Sequence, residues 1–166
     1  PSQPPVSSPP FPVSELAKFH SQFCRISIEG ESCILIKPQT FMNRVGLAVS
    51  ECAGFYKIPA ENIVIISDDL DLPPGMARFR DGGGHGGHNG LRSVIDSLGN
   101  SKFRRVRFGI GRPVGKHDVV GYVLGQWSKT EEKLAQSVMD QVLVELVGFL
   151  VTSQFENTSF SAPELA

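Results

Sequence analysis

The sequence predicts a single α/β domain built on a mixed, twisted sheet with helices on both faces. Strand-like segments alternate along the chain with segments of helical period, which is the pattern of α/β folds. One strand-like segment, residues 62–67 (NIVIIS), contains a short apolar run, as in strands that are covered on both faces. The length of 166 residues suits one domain with its own core.

The first elements predicted are a hairpin and a helix. Residues 1–14 are rich in Pro and Ser and predict a disordered segment before the domain, which we place at 15–153. Residues 24–37 (CRISIEGESCILIK) contain two strand-like runs around Gly30, typical of a hairpin. Residues 40–58 then carry apolar side chains at helical spacing, namely Val45, Val49, Cys52 and Tyr56.

The middle of the chain predicts two strands and a helix beyond strand 62–67. Residues 76–80 (MARFR) alternate between apolar and basic side chains, and residues 104–111 (RRVRFGIG) alternate in the same way. The helix over 89–98 has one apolar face and a Gly99-Asn100 stop. The sequence thus predicts one sheet in which at least one strand has a basic face.

The last predicted element is a long helix. Ser128 and Glu131 have the spacing of a capping box. The apolar face that follows extends to about Thr152 and consists of Leu134, Val138, Val142, Leu146 and Phe149. Residues 118–127 (DVVGYVLGQW) receive no assignment, and residues 154–166 predict a flexible tail.

The charge distribution points to a phosphate-bearing partner. The net charge is only −1, but residues 76–116 contain nine Lys or Arg and two Asp. A locally basic segment in a near-neutral chain is typical of a nucleic-acid contact. A basic surface that only solubilises the protein would give the same count.

Cysteine usage and hydropathy exclude other classes. The three cysteines have no CxxC spacing, which argues against a disulfide framework or structural zinc and favours a reducing compartment. No uninterrupted apolar run approaches about 18 residues, and no secretory signal is visible. We therefore expect no membrane partner and a cytoplasmic location, with an organelle as the alternative.

The stretch RFRDGGGHGGHNGLRS (78–93) contains a GxGxxG match. A dinucleotide fold needs an acid about 20 residues later, where this chain has Arg104, Arg105 and Arg107. A P-loop is excluded because no Gly-Lys-Ser/Thr follows. The third interpretation is phosphate or RNA contact, since glycines let a ligand approach the backbone and a helix N-terminus at Asn89-Gly90 attracts anions.

Metal binding is a weaker interpretation of the same region. His85 and His88, with Asp68, Asp69 and Asp71, could supply nitrogen and oxygen ligands. Two histidines at i,i+3 in a glycine-rich loop are poor indicators of ligand geometry, and we expect no metal.

Two further positions are ambiguous on pattern alone. Phe41 and Met42 are simply explained as packing residues, and Asn43 as the cap of the helix that follows. Asp68 stands at the end of a predicted strand, where ligands of α/β folds bind and catalytic carboxylates gather.

Three ordered motifs, KPQTFMNRVG, DDLDLPPGMARFRDGGGHGGHNGLRS and FRRVRFGIGRP, resemble the bacterial-type peptidyl-tRNA hydrolases. The resemblance extends from about Ala17 to Leu150. It implies a single α/β domain, usually monomeric, that cleaves the ester between peptide and tRNA ribose. It also implies that no metal or cofactor takes part.

The resemblance assigns roles to individual residues. Asp68 would orient and polarise the general-base histidine, and Asn43 would hold the peptide and the attacking water. Asn89 and the adjacent His88 would contact the substrate, and Phe41 would form a wall of its site. The residues expected to clamp tRNA phosphates of the acceptor stem are Arg78, Arg80 and Arg107.

One departure from the family pattern concerns the base. Family members begin with a strand leading to Gly-x-Gly-Asn-Pro-Gly and then Thr-Arg-His-Asn, whose histidine is the base; this sequence contains neither motif. His20 is not this base, because in the resemblance it aligns with the segment just before the hairpin, past the catalytic motif. General-base catalysis typically raises the rate of a reaction about 10² to 10⁴-fold. We therefore expect a hydrolase of this family, lacking its first strand here, with a non-hydrolytic, splicing-associated RNA-binding relative as the alternative.

Overall fold

A computed structural model describes residues 18–113 and 118–163. Strands and helices alternate through most of this length. The elements are β1 Ser21–Ile28, β2 Glu31–Pro38, α1 Val45–Tyr56, β3 Val64–Asp69, β4 Met76–Asp81, α2 Asn89–Leu98, β5 Arg104–Gly109, α3 Val119–Val123, α4 Lys129–Thr152 and β6 Ser159–Ser161. The predicted disordered segment 1–14 lies outside the described residues.

The strands form two sheets. In the larger sheet the order is β3-β5-β4-β6, with β3 parallel to β5 and the other neighbours antiparallel. The hairpin β1-β2 is a separate two-stranded sheet that turns at Gly30, as predicted. The predicted mixed α/β architecture is therefore confirmed, with the hairpin as an addition beside the main sheet.

Apolar side chains cover both faces of the main sheet. On one face, α4 packs Val138 and Val142 against Phe79 of β4 and Val106 of β5. On the other face, helices α1 and α2 pack against β3 and the start of β5, through a cluster that contains Val49, Leu91, Val94 and Phe103. This two-sided packing confirms the prediction of helices on both faces.

Helices α1 and α2 meet at Gly46. Its backbone N–H donates to Ser93 Oγ at 3.0 Å, and a Cβ at this position would lie 2.0 Å from the Ser93 carbonyl oxygen. Only glycine therefore permits this approach of the two helices. The contact matters for the site because α2 begins at Asn89.

The carboxyl-terminal part confirms one prediction and corrects another. The Ser128–Glu131 capping box is present, and α4 ends at Thr152 as predicted. The tail was predicted to be flexible from residue 154, but Ser159–Ser161 pair with β4 as strand β6. Phe155 and Phe160 pack on the Phe79 ring at 5.5 and 5.8 Å between centroids, which explains why this polar segment is ordered.

Strand β3 is less covered than its apolar sequence predicts. Within the described part of the chain it pairs with β5 alone and forms an edge of the sheet. Ile66 is 58% exposed. The prediction of a strand covered on both faces is thus wrong at Ile66, which belongs to neither of the two apolar clusters that cover the faces of the described sheet.

Helix α4 is long and apolar enough to cross a membrane by length and composition, with mean hydropathy 1.5. Counting only uninterrupted apolar runs in the sequence did not identify α4 as long and apolar enough to span a membrane. This property is weak evidence of a membrane span, because the packing helix of a soluble protein passes the same test. Of the apolar window of this helix, 22% is buried, with Val138 and Val142 packed against the sheet.

Candidate functional site

A cleft of about 760 Å³ opens where β3 and β5 end. The carboxyl ends of parallel strands are where α/β folds bind ligands. Its walls come from β3, from the loop Gly82–Gly87, from the start of α2 and from α3. We call Gly82–Gly87 the glycine loop. Five residues predicted from the sequence line this cleft: Asp68, Arg80, His88, Asn89 and Arg107.

Asp68 and His88 form a hydrogen-bonded pair in the cleft. His88 Nε2 lies 3.1 Å from Asp68 Oδ1. His88 is also the N-cap of α2, where its Nδ1 accepts a hydrogen bond from the Leu91 backbone N–H at 3.2 Å. Because Nδ1 accepts, the ring proton of the neutral imidazole is on Nε2, which donates to Asp68. Both ring nitrogens are therefore occupied, and His88 holds no free lone pair for a water molecule.

This imidazole favours the ionised form of Asp68. The hydrogen bond from His88 lowers the pKa of the Asp68 carboxyl, although partial burial acts in the opposite direction. The carboxyl is thus an ionised acceptor at neutral pH. Its position is fixed by a ring that is itself attached to the first turn of α2.

Four arginines share one face of the sheet beside the cleft. Arg78 stands opposite Arg107 in the β4–β5 ladder, and Arg80 stands opposite Arg105. Like charges directly opposite each other destabilise a sheet. Such an arrangement favours the binding of an anion, and it places the three arginines predicted to clamp phosphate on one face.

The arginines of this face differ in how far they are neutralised. Arg107 Nε lies 2.5 Å from Asp69 Oδ2, and Arg78 Nε donates to Ser159 Oγ at 3.2 Å. Arg80 is exposed and makes no salt bridge within residues 18–113 or 118–163. Of the predicted clamp, Arg80 is therefore the most available cation.

Acidic residues offset the positive charge of the cleft. Its lining holds four arginines and four aspartates, so the space is less basic than the charge count over 76–116 suggests. One of these arginines, Arg112, is paired with Asp71 at 2.6 Å. Another, Arg105, was not singled out from the sequence; it lies beneath the glycine loop and is 3% exposed.

Asn43, Phe41 and Arg78 lie outside the lining of the cleft. Asn43 belongs to a 3-10 turn, Met42–Arg44, and the N-cap of α1 is Arg44, so the interpretation of Asn43 as a helix cap is wrong. Phe41 is 81% exposed, which excludes a packing role. Met42, between them, does line the cleft.

Two other histidines of the described residues, His85 and His20, make separate contacts. His85 Nδ1 accepts from the Gly87 backbone N–H at 3.0 Å and so shapes the glycine loop. His20 lies 3.8 Å from Glu51, next to the start of β1. In the part of the chain that the structure describes, no group of three or more His, Cys, Asp or Glu side chains could hold a metal ion.

Comparisons with known proteins agree on one family. A family model described as peptidyl-tRNA hydrolase matches residues 8–163. The chain is 50% identical over 131 residues to the peptidyl-tRNA hydrolase of Escherichia fergusonii, covering 78% of this chain and 68% of that protein. It is 47% identical over 132 residues to that of Erwinia tasmaniensis, covering 79% and 68%.

Solved structures give the same result. A crystal structure of peptidyl-tRNA hydrolase from Acinetobacter baumannii is similar, with a TM-score of 0.77 and 43% identity over 82% of this chain and 69% of that one. A crystal structure of a peptidyl-tRNA hydrolase in complex with N-propanol also gives a TM-score of 0.77, with 42% identity.

Proposed function

The chain belongs to the peptidyl-tRNA hydrolase family, whose reaction is hydrolysis of the ester bond of peptidyl-tRNA, and we propose that the cleft at the ends of β3 and β5 performs this reaction. One observation carries the proposal. A carboxylate, an asparagine and two arginines from four elements, Asp68, Asn89, Arg80 and Arg107, line a single cleft.

Asp68 is the orienting acid of the proposed reaction. Its Oδ1 is occupied by His88, which leaves Oδ2 to accept the N–H of a general-base imidazole and to stabilise that ring when it takes a proton from water. His88 does not serve as this base, because its two nitrogens are engaged by Asp68 and by the Leu91 N–H. In the family that base belongs to the Thr-Arg-His-Asn motif, which this sequence does not contain.

The tRNA part of the substrate fits the arginine face. Arg80 and Arg107 would bind phosphates of the acceptor stem, with Arg78 at the margin on the same face. Asn89 would contact the sugar end of the substrate at the start of α2. Phe41 and Asn43 flank Met42, which borders the cleft, and would contact the peptide from there.

We propose that the protein acts as a monomer in the cytoplasm. The three cysteines are free in the structure, as expected of a protein in a reducing compartment. The comparisons give no reason to prefer the non-hydrolytic alternative, because every relative named above is a peptidyl-tRNA hydrolase.

The decisive test measures binding and ester cleavage together, with N-acetyl-aminoacyl-tRNA and this chain as it stands. We expect salt-dependent tRNA binding and release of the N-acetyl amino acid above the uncatalysed rate. Turnover should be about 10² to 10⁴-fold below that of a relative that contains the base. Arg80→Ala should weaken binding, whereas Arg92→Ala, exposed on α2 outside the cleft, is the matched control. Binding without any cleavage would support the RNA-binding alternative, and loss of both would refute the proposal.

A further inference from the structure

Arg105 is a buried cation with an unusual set of partners. Only 3% of its surface is exposed, and its guanidinium lies over the Phe103 ring at 4.6 Å from the centroid. Its two Nη atoms donate to the backbone carbonyls of Gly84 and Gly83. Within residues 18–113 and 118–163 it makes no salt bridge to a carboxylate. Buried charges are ordinarily paired, so a charge left unpaired beside a cleft needs an explanation.

The hydrogen bonds of Arg105 fix the direction of two peptide groups in the glycine loop. In a planar trans peptide the C=O and the following N–H point in opposite directions. Since the carbonyls of Gly83 and Gly84 face Arg105, the N–H groups of Gly84 and His85 face away from it. Neither N–H has a hydrogen-bond acceptor in the described part of the chain.

The space beside the two glycines is open, and both of them line the cleft with His85. A Cβ at Gly83 or Gly84 would meet no atom within 4 Å. Gly83 has a φ of +108°, which by itself favours glycine. The φ of Gly84 is not positive, so neither crowding nor backbone conformation within the molecule requires glycine there. The missing side chain leaves room for a ligand to approach the backbone.

We propose that the backbone N–H groups of Gly84 and His85 form a binding site for a phosphate group, and that Arg105 is the positioning residue that turns them toward it. Successive backbone N–H groups form anion-binding concavities in many proteins. Arg80, which is exposed and directly opposite Arg105 in the ladder, supplies charge from the side. The buried guanidinium adds a positive field from below. In the proposed function this phosphate belongs to the tRNA, and the inference rests on that function for its biological ligand.

The first test is an amide NMR titration of the whole chain with inorganic phosphate at constant ionic strength. The proposal expects saturable shifts of the Gly84 and His85 amides. A second titration uses an RNA acceptor-stem hairpin with a 5′-phosphate and the same hairpin with a 5′-hydroxyl, which distinguishes a terminal phosphate from backbone phosphates. Shifts confined to the surroundings of Arg80 and Arg107, or no saturable shift, would overturn the proposal.

The second test separates charge from geometry. Arg105→Lys keeps the charge but loses the two-pronged hydrogen bond. Phosphate should then bind roughly tenfold or more weakly, and KM for N-acetyl-aminoacyl-tRNA should rise with little change in kcat. Arg104→Lys is the matched control, because Arg104 is the neighbouring residue but stacks on Phe149 beneath α4. Equal phosphate affinity in wild type and Arg105→Lys would exclude a positioning role.

These outcomes are independent of ester hydrolysis. If the chain cleaves no ester but the two amides respond to phosphate, the proposed function fails and the anion site stands. If it cleaves the ester but the amides do not respond, the reverse holds. Should Arg105→Lys fail to fold, as a melting curve would show, the titration of the wild-type chain alone decides.

Discussion

The Asp68–His88 pair shows how one side chain can serve both folding and catalysis. His88 caps α2 through Nδ1 and holds Asp68 through Nε2. Any change in the position of α2 is therefore transmitted to the carboxylate. The role of His88 as a substrate-binding residue, expected from its place beside Asn89, gives way in our proposal to a role in positioning Asp68.

Replacement of the acid tests its role directly. In Asp68→Asn we expect a large fall in ester turnover with little change in tRNA affinity, because the amide can still accept from His88 but cannot stabilise an imidazolium. Turnover is measured by release of N-acetyl amino acid and affinity by filter binding. Asp81→Asn, a cleft residue on β4, is the control. Unchanged turnover in Asp68→Asn would remove this residue from the mechanism.

The arginines should differ in what their loss costs. Arg80→Ala should reduce the slope of log K against log salt by about one unit with unchanged stability. Arg107→Ala should reduce the slope similarly, but it should also destabilise the fold by about 1–3 kcal/mol, because it leaves the buried Asp69 carboxylate without its partner. Salt-dependent tRNA binding and urea denaturation measure the two effects. Equal stability of both variants would show that the Arg107–Asp69 pair contributes nothing.

Residue-scale prediction from the sequence depended on motifs. Asp68, Asn89, Arg80 and Arg107 were identified because they stand in stretches that resemble a family, and the structure brings them to one cleft. Arg105 was missed because a buried arginine and an exposed one look alike in a sequence. The alternation of Arg105 with Val106 predicted a strand with a basic face, but it did not indicate that Arg105 is buried.

At the scale of elements, the approach of α1 to α2 sets the position of the site. Gly46 allows the contact, and α2 carries His88 at its N-cap and Asn89 at its start. The geometry of the cleft therefore depends on the packing of Gly46 against Ser93, a contact between α1 and α2 that lies outside the cleft.

Gly46→Ala tests this dependence. A methyl group 2.0 Å from the Ser93 carbonyl oxygen must push the helices apart, at a cost of about 1–3 kcal/mol in the free energy of unfolding. We expect a lower denaturation midpoint and a partial loss of activity. Gly54→Ala on the same helix, where a Cβ would meet no atom within 4 Å, is the control. Equal midpoints for the two variants would contradict the described contact.

Elements with a clear period were predictable, and short ones were not. Helix α4 has a capping box and a regular apolar face, and its bounds agree with the prediction. Helix α3 has five residues, too few to show a period. Strand β6 has three residues and depends on pairing with β4 and on Phe79, which are distant along the chain and invisible to any local pattern.

At the scale of the whole molecule, Asp68 links the site to stability in acid. Its folded-state pKa lies below the ordinary value of 3.8, so its ionised form stabilises the fold. This contribution is complete above the unfolded-state pKa and is lost as the pH falls through the folded-state pKa.

Denaturation of wild type and Asp68→Asn at a series of pH values measures this link. Wild type should be the more stable of the two at neutral pH. The difference should shrink as the pH falls below about 4. A difference that stays constant down to pH 2 would mean that the hydrogen bond from His88 does not favour the ionised carboxyl.

Strand β5 gives the architecture a further property. It lies inside the sheet, contributing Val106 to the packing beneath α4 while Arg105 and Arg107 face the cleft. Successive side chains of a strand point to opposite faces of the sheet. Inserting or deleting one residue in β5 would therefore turn guanidinium groups into the apolar cluster beneath α4 and turn Val106 toward the cleft. Single residues of β5 can thus be substituted in evolution, whereas a change in the length of this strand is strongly disfavoured.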